Sequence, residues 1–493
     1  MTLTKTEYLL FLKHRAWLWL KKYAKEKLPP IDANTQAVFD AGNRLEAYAE
    51  RLFPAGLHLG FNSYDEYESL SSRTQEAISS GRQILFQARF DASRLICLTD
   101  VVEFTSPATV KLYEIKSSTK VKPEHEFDLA FQMVVLEELG YTVESISVIH
   151  VNNAYVRSEE INPHELLTIS DITESVQEKR VATKEHIEQA LAVVDSTTMP
   201  DISPRHCRLN SMSDWLPIYR GLVEVPEYSI YDLASPNAQL IGELEDQDIA
   251  LMKDIQDSTT LTAKQLAQVE AIKNNTHVID TEKIQAFLRT LTYPHYFLDY
   301  ETCSDVIPPY DGTKPYQQVP CQYSLHILDK PGGDLRHSEY IHRTADHPAK
   351  SLAETLRKDI GDSGSIIVWY ANFETKCNRD MAEMVPEYAE FFHDLNTRTV
   401  DLMVPFSEGM YVDPRFLGSA SIKSVLPVLV PDLSYKKLVV QEGQTAQRLW
   451  MKAVLEDKET TVENDKLFFD LLAYCELDTL AMVRIYEKLL TLG

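Results

Sequence analysis

The sequence predicts an α/β protein in which two sheet-bearing domains flank a weaker helical stretch. Three observations support that expectation. Short runs rich in β-branched and aromatic residues, each bounded by polar turn-formers, recur in two clusters, at 84–117 and 296–342. Helical apolar periodicity interleaves with both clusters. At 493 residues and 44% hydrophobic, the chain also exceeds the roughly 250–300 residues beyond which one core stops growing. The expected organisation is an N-terminal α/β domain over 1–195, a connector or accessory helical region over 196–290, and a C-terminal mixed sheet with flanking helices over 291–493.

Taken in order, residues 5–27 read as one amphipathic helix, with Leu9, Leu12, Trp17, Leu20 and Tyr23 sharing a face. A second helix follows near 36–53, then strands at 84–90, 95–104 and 110–117, a helix near 124–139 and a strand near 144–151. Prolines 200, 204, 217, 226 and 236 interrupt the next stretch, before helices near 246–256, 262–273 and 281–290. Strands at 296–300, 322–328 and 338–342 then form a meander, followed by a helix near 348–360 and a buried strand at 365–370. Helices near 374–392, 421–429, 445–456 and 463–491 complete the chain, with a short strand near 399–403. A meander feeding into alternating helix and strand is the order of a ribonuclease-H-like sheet.

Bulk properties narrow the function classes. The longest apolar runs fall far below the ~20 residues that cross a bilayer, and charges at Lys5, Glu7, Lys13, His14 and Arg15 break any secretory core. The expectation is a cytoplasmic protein with no membrane association. Six scattered cysteines form no CxxC pair. A formal net charge of −25 argues against a protein that coats nucleic acid through massed Lys and Arg. It does not exclude a nuclease whose carboxylates are neutralised by metal.

Candidate chemistry begins at Phe297-Leu298-Asp299-Tyr300-Glu301-Thr302. The two acids lie two residues apart on a strand, so they share a face. Like charges so placed repel unless a cation lies between them. In Tyr474-Cys475-Glu476-Leu477-Asp478 the tyrosine and aspartate are spaced i and i+4 on one helical face. The third element, Trp369-Tyr370-Ala371-Asn372-Phe373-Glu374, ends a strand and opens a helix; Asn372 reads as a simple N-cap, or Glu374 as a further acid of the site.

In this order, the three elements resemble the exonuclease motifs of the DEDD superfamily, in the subclass with tyrosine before the last aspartate. The resemblance implies that Asp299, Glu301 and Asp478 bind metal, that Glu374 stands where an aspartate is usual, and that Tyr474 orients water. Asp380, further along the helix, is the fallback fourth ligand. Hard oxygen donors imply magnesium or manganese. Substrate contacts are expected from Tyr316, Gln318 and Gln322 in the turn after the first acids; the alternative is an ordinary turn packed with tyrosines. Ser419 or Ser421 is expected to cap the next helix, placing Lys423 near phosphate.

In the N-terminal domain, Asp100 lies on the middle strand, and Glu114-Ile115-Lys116 puts an acid and a lysine on one face of the next. The alternative reading is a cross-strand salt bridge. With Gly42 and Glu46 on the preceding helix and Gln132 on the following one, the pattern resembles the RecB-like branch of PD-(D/E)xK nucleases. That implies metal ligands at Glu46, Asp100 and Glu114, a catalytic Lys116 and a substrate-side Gln132. Both halves together resemble a little-characterised bacterial family that fuses a RecB-like fold to a DEDD-type domain. Members often carry cysteines spaced for an iron–sulfur cluster. Here Lys13-His14-Arg15 stands near the first expected cysteine, and only Cys207 is left at the second position. One thiol cannot hold a cluster, so none is expected.

The implied activity is metal-dependent hydrolysis of nucleic acid, from a free 3′ end by a two-metal mechanism, with a second module that cuts or grips. Single-stranded DNA or RNA and short oligonucleotides all remain open as substrates. The competing expectation is a nucleic-acid-binding or assembly scaffold with impaired sites.

Overall fold

Alternating burial along the strands sets the layers. The computed structural model describes residues 1–457 and 462–492, and the chain divides into two compact units.

The first unit comprises residues 1–225 with 237–242. Its strands are β1 (Leu3–Thr4), β2 (Leu57–His58), β3 (Ile84–Ala92), β4 (Leu95–Ser106), β5 (Thr109–Lys116), β6 (Thr142–Val151) and β7 (Leu167–Asp171). Its helices are α1 (Lys5–Lys13), α2 (Arg15–Tyr23), α3 (Ala33–Glu50), α4 (Tyr64–Ser79), α5 (Pro123–Glu138), α6 (Pro163–Leu166), α7 (Thr173–Asp195) and α8 (Met212–Leu222); α9 (Ala238–Glu245) begins here. The sheet runs β2-β3-β4-β5-β6-β7, with β1 parallel to β4. Strands β3, β4 and β5 form an antiparallel meander. Strand β6 then lies parallel to β5, which requires the crossover that α5 supplies. Because α5 is buried from Asp128 to Leu136 without interruption, it is the centre of this core.

The expected helix over 5–27 is two helices. His14 is extended (φ −161°, ψ 128°), and its Nδ1 accepts from the Ala16 N–H, ending α1 and capping α2. The break changes the buried face. Tyr8, Phe11, Leu12, Ala16, Leu18 and Leu20 are buried, not the set of one continuous helix.

The second unit comprises residues 226–236 and 243–493. It contains α10 (Ala263–Lys273), β8 (Val278–Ile279), α11 (Thr281–Leu288), β9 (His295–Cys303), β10 (Val319–Leu328), β11 (Leu335–Ile341), α12 (Ala349–Asp359) and β12 (Ser365–Val368). There follow α13 (Ala371–Met384), α14 (Ala389–Arg398), β13 (Thr399–Asp401), α15 (Val404–Ser407), β14 (Tyr411–Val412), α16 (Ile422–Leu429), α17 (Gly443–Met451) and α18 (Val462–Leu490). The main sheet is ordered β11-β10-β9-β12-β13. Its first three strands are antiparallel, β12 is parallel to β9, and β13 is parallel to β12.

Alternation on β9 separates two cores. Tyr296, Leu298 and Tyr300 join the cluster of α12 and α13, whereas Phe297 and Cys303 join the cluster containing Leu471, Met482 and Ile485 of α18. Asp299 and Glu301 therefore continue the α18 face of the strand. At Gly364 (φ +96°), which leads into β12, a Cβ would stand 2.1 Å from the Pro294 carbonyl oxygen, so only glycine fits.

The region 196–290 divides between the two units. Two further expectations are corrected. The helix expected at 246–256 is instead α9, followed by a turn with one 3-10 segment at Met252–Asp254. The helix expected over 374–392 is α13 and α14, parted at Pro386, whose missing N–H cannot continue the ladder. Among the described residues no helix is long and apolar enough to cross a membrane.

Candidate metal centre

Three elements bring four acids to one cleft of about 390 Å³. Strand β9 supplies Asp299 and Glu301, α18 supplies Asp478 and α13 supplies Glu374; Tyr474, Lys423, Gln318 and Gly443 line it too. The cleft lies beside the carboxyl ends of the parallel strands β9 and β12, where open α/β sheets characteristically bind ligands. The i, i+4 spacing of Tyr474 and Asp478 puts both on the buried side of α18.

Glu374 arrives by a different route. Its helix starts at Ala371, and the cap comes from outside: the Asp401 carboxylate accepts from the Tyr370 N–H at 3.0 Å and the Ala371 N–H at 2.9 Å. Asn372 is thus inside the helix and is not its cap. Tyr370 is held left-handed (φ 75°), a strained conformation for a non-glycine residue. Glu374 is 2% exposed, and its Oε2 has no hydrogen-bond partner. Asp380 is not the fourth acid: it does not line the cleft and pairs with Lys376 at 2.5 Å.

The electrostatics are those of crowded, buried carboxyl groups. Among the described residues no ion pair reaches Asp299, Glu301, Glu374 or Asp478. Burial, then the nearby Asp478 charge, holds the Asp299 carboxyl well above the usual carboxylate range. Burial followed by Asp299 does the same to Glu301 and to Glu374, the latter partly relieved by the Tyr300 backbone N–H. Asp478 is pushed up to about 6 by burial, against the opposing hydrogen bond from Tyr435, whose hydroxyl donates to Oδ1 at 2.5 Å. A divalent ion among such groups removes both the repulsion and the cost of burial.

Around the acids, Lys423 Nζ lies 3.3 Å from the Tyr474 hydroxyl and about equally over the Tyr435 and Tyr474 rings, at 5.6 and 5.4 Å. Ser421 caps its helix, accepting from the Lys423 N–H at 3.3 Å. Cys475 approaches Asp299 Oδ2 at 3.5 Å. Burial and the nearby carboxylates raise its thiol, so it acts as a protonated donor. Tyr435 and Cys475 have no local signature and were reachable only through the fold.

The expected substrate residues divide. Gln318 and Lys423 line the cleft, and the Thr302 hydroxyl donates to Gln318 Oε1 at 2.6 Å. Gln322 is buried and donates to the Leu471 carbonyl at 2.9 Å, so it holds α18 to the sheet and presents nothing to a substrate. Tyr316 is 38% exposed but does not line the cleft. The aromatic at the rim is Tyr370, 51% exposed.

In the first unit, the sequence-selected residues also meet. Lys116 Nζ lies 2.6 Å from Glu114 Oε1 and 2.8 Å from Asp128 Oδ2. Gln132 Nε2 donates to Glu114 Oε2 at 2.7 Å and to Asp128 Oδ1 at 3.0 Å. Asp100 Oδ2 accepts from the Ile115 N–H at 2.8 Å, and burial with the nearby Glu114 charge pushes its carboxyl up to about 8. Burial also raises Glu46, which accepts from Gln87 at 3.0 Å; Gln87 itself is left-handed (φ 54°) within β3.

Two members of this cluster were missed: Asp128 and Lys5. The Lys5 ammonium lies 2.8 Å from Glu114 Oε1 and 3.6 Å from Asp128 Oδ1. Burial favours the neutral Glu114, but Lys116 and Lys5 outweigh it and hold the carboxyl well below its usual range. This cluster already contains its cations.

Comparison with known proteins adds kinship without a described activity. A family model described as a domain of unknown function, DUF2779, matches residues 296–421, which include Asp299, Glu301 and Glu374 but not Tyr474 or Asp478. The "Uncharacterized protein MG366 homolog" of Mycoplasma pneumoniae is 25% identical over 224 residues, covering 41% of this chain and 33% of that protein. The chain thus spans about a third of the length of the curated relative it matches. No solved structure matches. Over β9 to the start of α16, the chain is similar to a family defined by a domain of unknown function.

Proposed function

We propose that the protein is a metal-dependent nuclease whose C-terminal cleft releases nucleotides from a free 3′ end. One observation carries this reading: the buried Glu374 carboxyl, whose Oε2 has no hydrogen-bond partner, stands with Asp299, Glu301 and Asp478 around one cleft with no cation paired to any of them among the described residues. The sheet order β11-β10-β9-β12-β13 supports a ribonuclease-H-like, DEDD-type assignment, which rests on the spacing of these residues in the sequence.

The residues present fit magnesium or manganese, with Asp299, Glu301, Glu374 and Asp478 as the oxygen donors. When bound, a pair of such ions supplies charge stabilisation at the scissile phosphate and a nucleophilic hydroxide at neutral pH. The chain's own groups do the rest. The Tyr474 hydroxyl, raised far above its usual range by burial and then Asp478, stays protonated and orients the attacking water by hydrogen bonding. Tyr435 fixes the Asp478 carboxylate through its 2.5 Å hydrogen bond. Lys423 offers the one positive charge among the cleft-lining residues to a phosphate, and Tyr370 offers a ring to a terminal base.

The test uses 5′-labelled single-stranded DNA and RNA, with free or blocked 3′ ends, in manganese or magnesium. A ladder of shortened products from free ends, lost in Asp299→Asn and Asp478→Asn, is expected. Undiminished release by both folded variants overturns the assignment.

For the first unit, the two ammonium groups on Glu114 favour a gripping role over cutting. We propose a RecB-like module that binds the substrate backbone, so Asp299→Asn should leave circular DNA intact. Metal-dependent nicking by that variant, abolished by adding Glu114→Ala, would reverse this reading.

A further inference from the structure

A second cluster lies on the same sheet face, one helical step from the cleft. His326 on β10 and His337 on β11 are direct cross-strand partners, and Glu476 reaches them from α18. One nitrogen of each imidazole and one carboxylate oxygen lie within 4.8 Å of one another. His326 is buried, whereas His337 and Glu476 keep side-chain exposures of 25% and 47%, which leaves a way in from solvent.

Each ring has a hydroxyl against one of its nitrogens. Thr479 Oγ1 lies 2.8 Å from His326 Nδ1, 2.7 Å from Ser324 Oγ and 3.1 Å from the Glu476 carbonyl oxygen, and Ser324 Oγ lies 3.0 Å from His337 Nε2. With the N–H of each neutral imidazole turned to its hydroxyl, His326 Nε2 and His337 Nδ1 carry the lone pairs. His337 Nδ1 stands 3.9 Å from Glu476 Oε1, beyond hydrogen-bond reach. The two rings are stacked with centroids 4.5 Å apart. Two imidazoles, each hydrogen-bonded through one nitrogen, and a carboxylate supply the donor set of a borderline divalent ion.

We infer that His326 Nε2, His337 Nδ1 and the Glu476 carboxylate form a site for a zinc-class divalent cation, distinct from the all-oxygen cleft. Its mixed nitrogen and oxygen donors select zinc over magnesium. The ion cross-links the edge strand β11 to α18 and leaves a fourth position to water.

The experiment is zinc titration of the metal-free full chain by calorimetry, with cobalt as a visible-absorption probe of the donor set. One equivalent of zinc is expected, displaceable from cobalt, retained in Asp299→Asn and lost in His337→Gln and Glu476→Gln. Thr479→Val, which removes the hydroxyl behind His326, should weaken zinc about 10- to 100-fold. Far-UV circular dichroism checks that each variant is folded. The proposal fails if the wild type takes up no zinc, or if zinc affinity is unchanged in folded His337→Gln. It also fails if the zinc is lost with Asp299→Asn and kept with His337→Gln; because that reading of the cleft is tested on magnesium and manganese, either proposal can fail alone.

Discussion

The Glu374 carboxyl has an extra methylene relative to aspartate, and the charges of Asp299 and Glu301 both act on it. Leaving a buried carboxylate oxygen unsatisfied costs about 1–3 kcal/mol or more. Glu374→Gln should therefore raise the melting temperature of the metal-free protein while abolishing its manganese-induced rise, measured by thermal denaturation in chelator and in metal. Asp478 gives a pH prediction. Its folded-state value of about 6 exceeds the ordinary 3.8, so the folded chain holds a proton that the unfolded chain releases. The stability from this group is complete below about 3.8 and is lost as pH rises through about 6. In denaturant titrations without metal, the wild type should lose stability relative to Asp478→Asn across that window; a constant difference contradicts it. At this scale the sequence was legible where spacing alone fixes geometry, as in 299/301 and 474/478. Lys5, Asp128, Cys475 and Tyr435 were not, because each joins its cluster through tertiary packing. Gln322 shows the reverse: position in the chain suggested a lip, and burial under α18 put it in the core.

At the scale of elements, the most informative is α13, because its start is set by an acid thirty residues away in sequence. Asp401 satisfies two of the orphan N–H groups at the helix N-terminus, and Met403 N–H donates to it as well at 2.9 Å. Asp401→Ala should cost about 1–2 kcal/mol, as loss of a cap does, seen as a lower chemical-denaturation midpoint. It should also weaken manganese binding, although Asp401 does not line the cleft, because the first turn carries Glu374. Strands with strong alternation and helices with broad apolar faces were readable from the sequence. Helix α4 was not, since only Leu70, Thr74 and Ala77 are buried in sixteen residues, too narrow a stripe to register. The break at His14 was hidden as well, because histidine carries no general helix-stopping signal and acts here through one side-chain cap.

Across the whole molecule, the net charge of −25 sets how nucleic acid can be held. Few phosphates can be neutralised by Lys and Arg, so binding in metal should depend weakly on salt. Lys423→Ala should make the log–log salt slope shallower by about 0.7 for single strands, and a much steeper wild-type slope would point to a basic surface elsewhere. The α/β class and the order of its elements were legible along most of the chain. The division of 196–290 between two units was not, because that depends on contacts far apart in sequence. Helix α18 gathers residues of both clusters within six positions: Tyr474, Cys475 and Asp478 face the acids, while Glu476 and Thr479 belong to the histidine pair. Any coupling between the two sites through this helix is reciprocal in binding free energy. Whatever factor an ion at the histidines imposes on affinity in the cleft, an ion in the cleft imposes on the histidines.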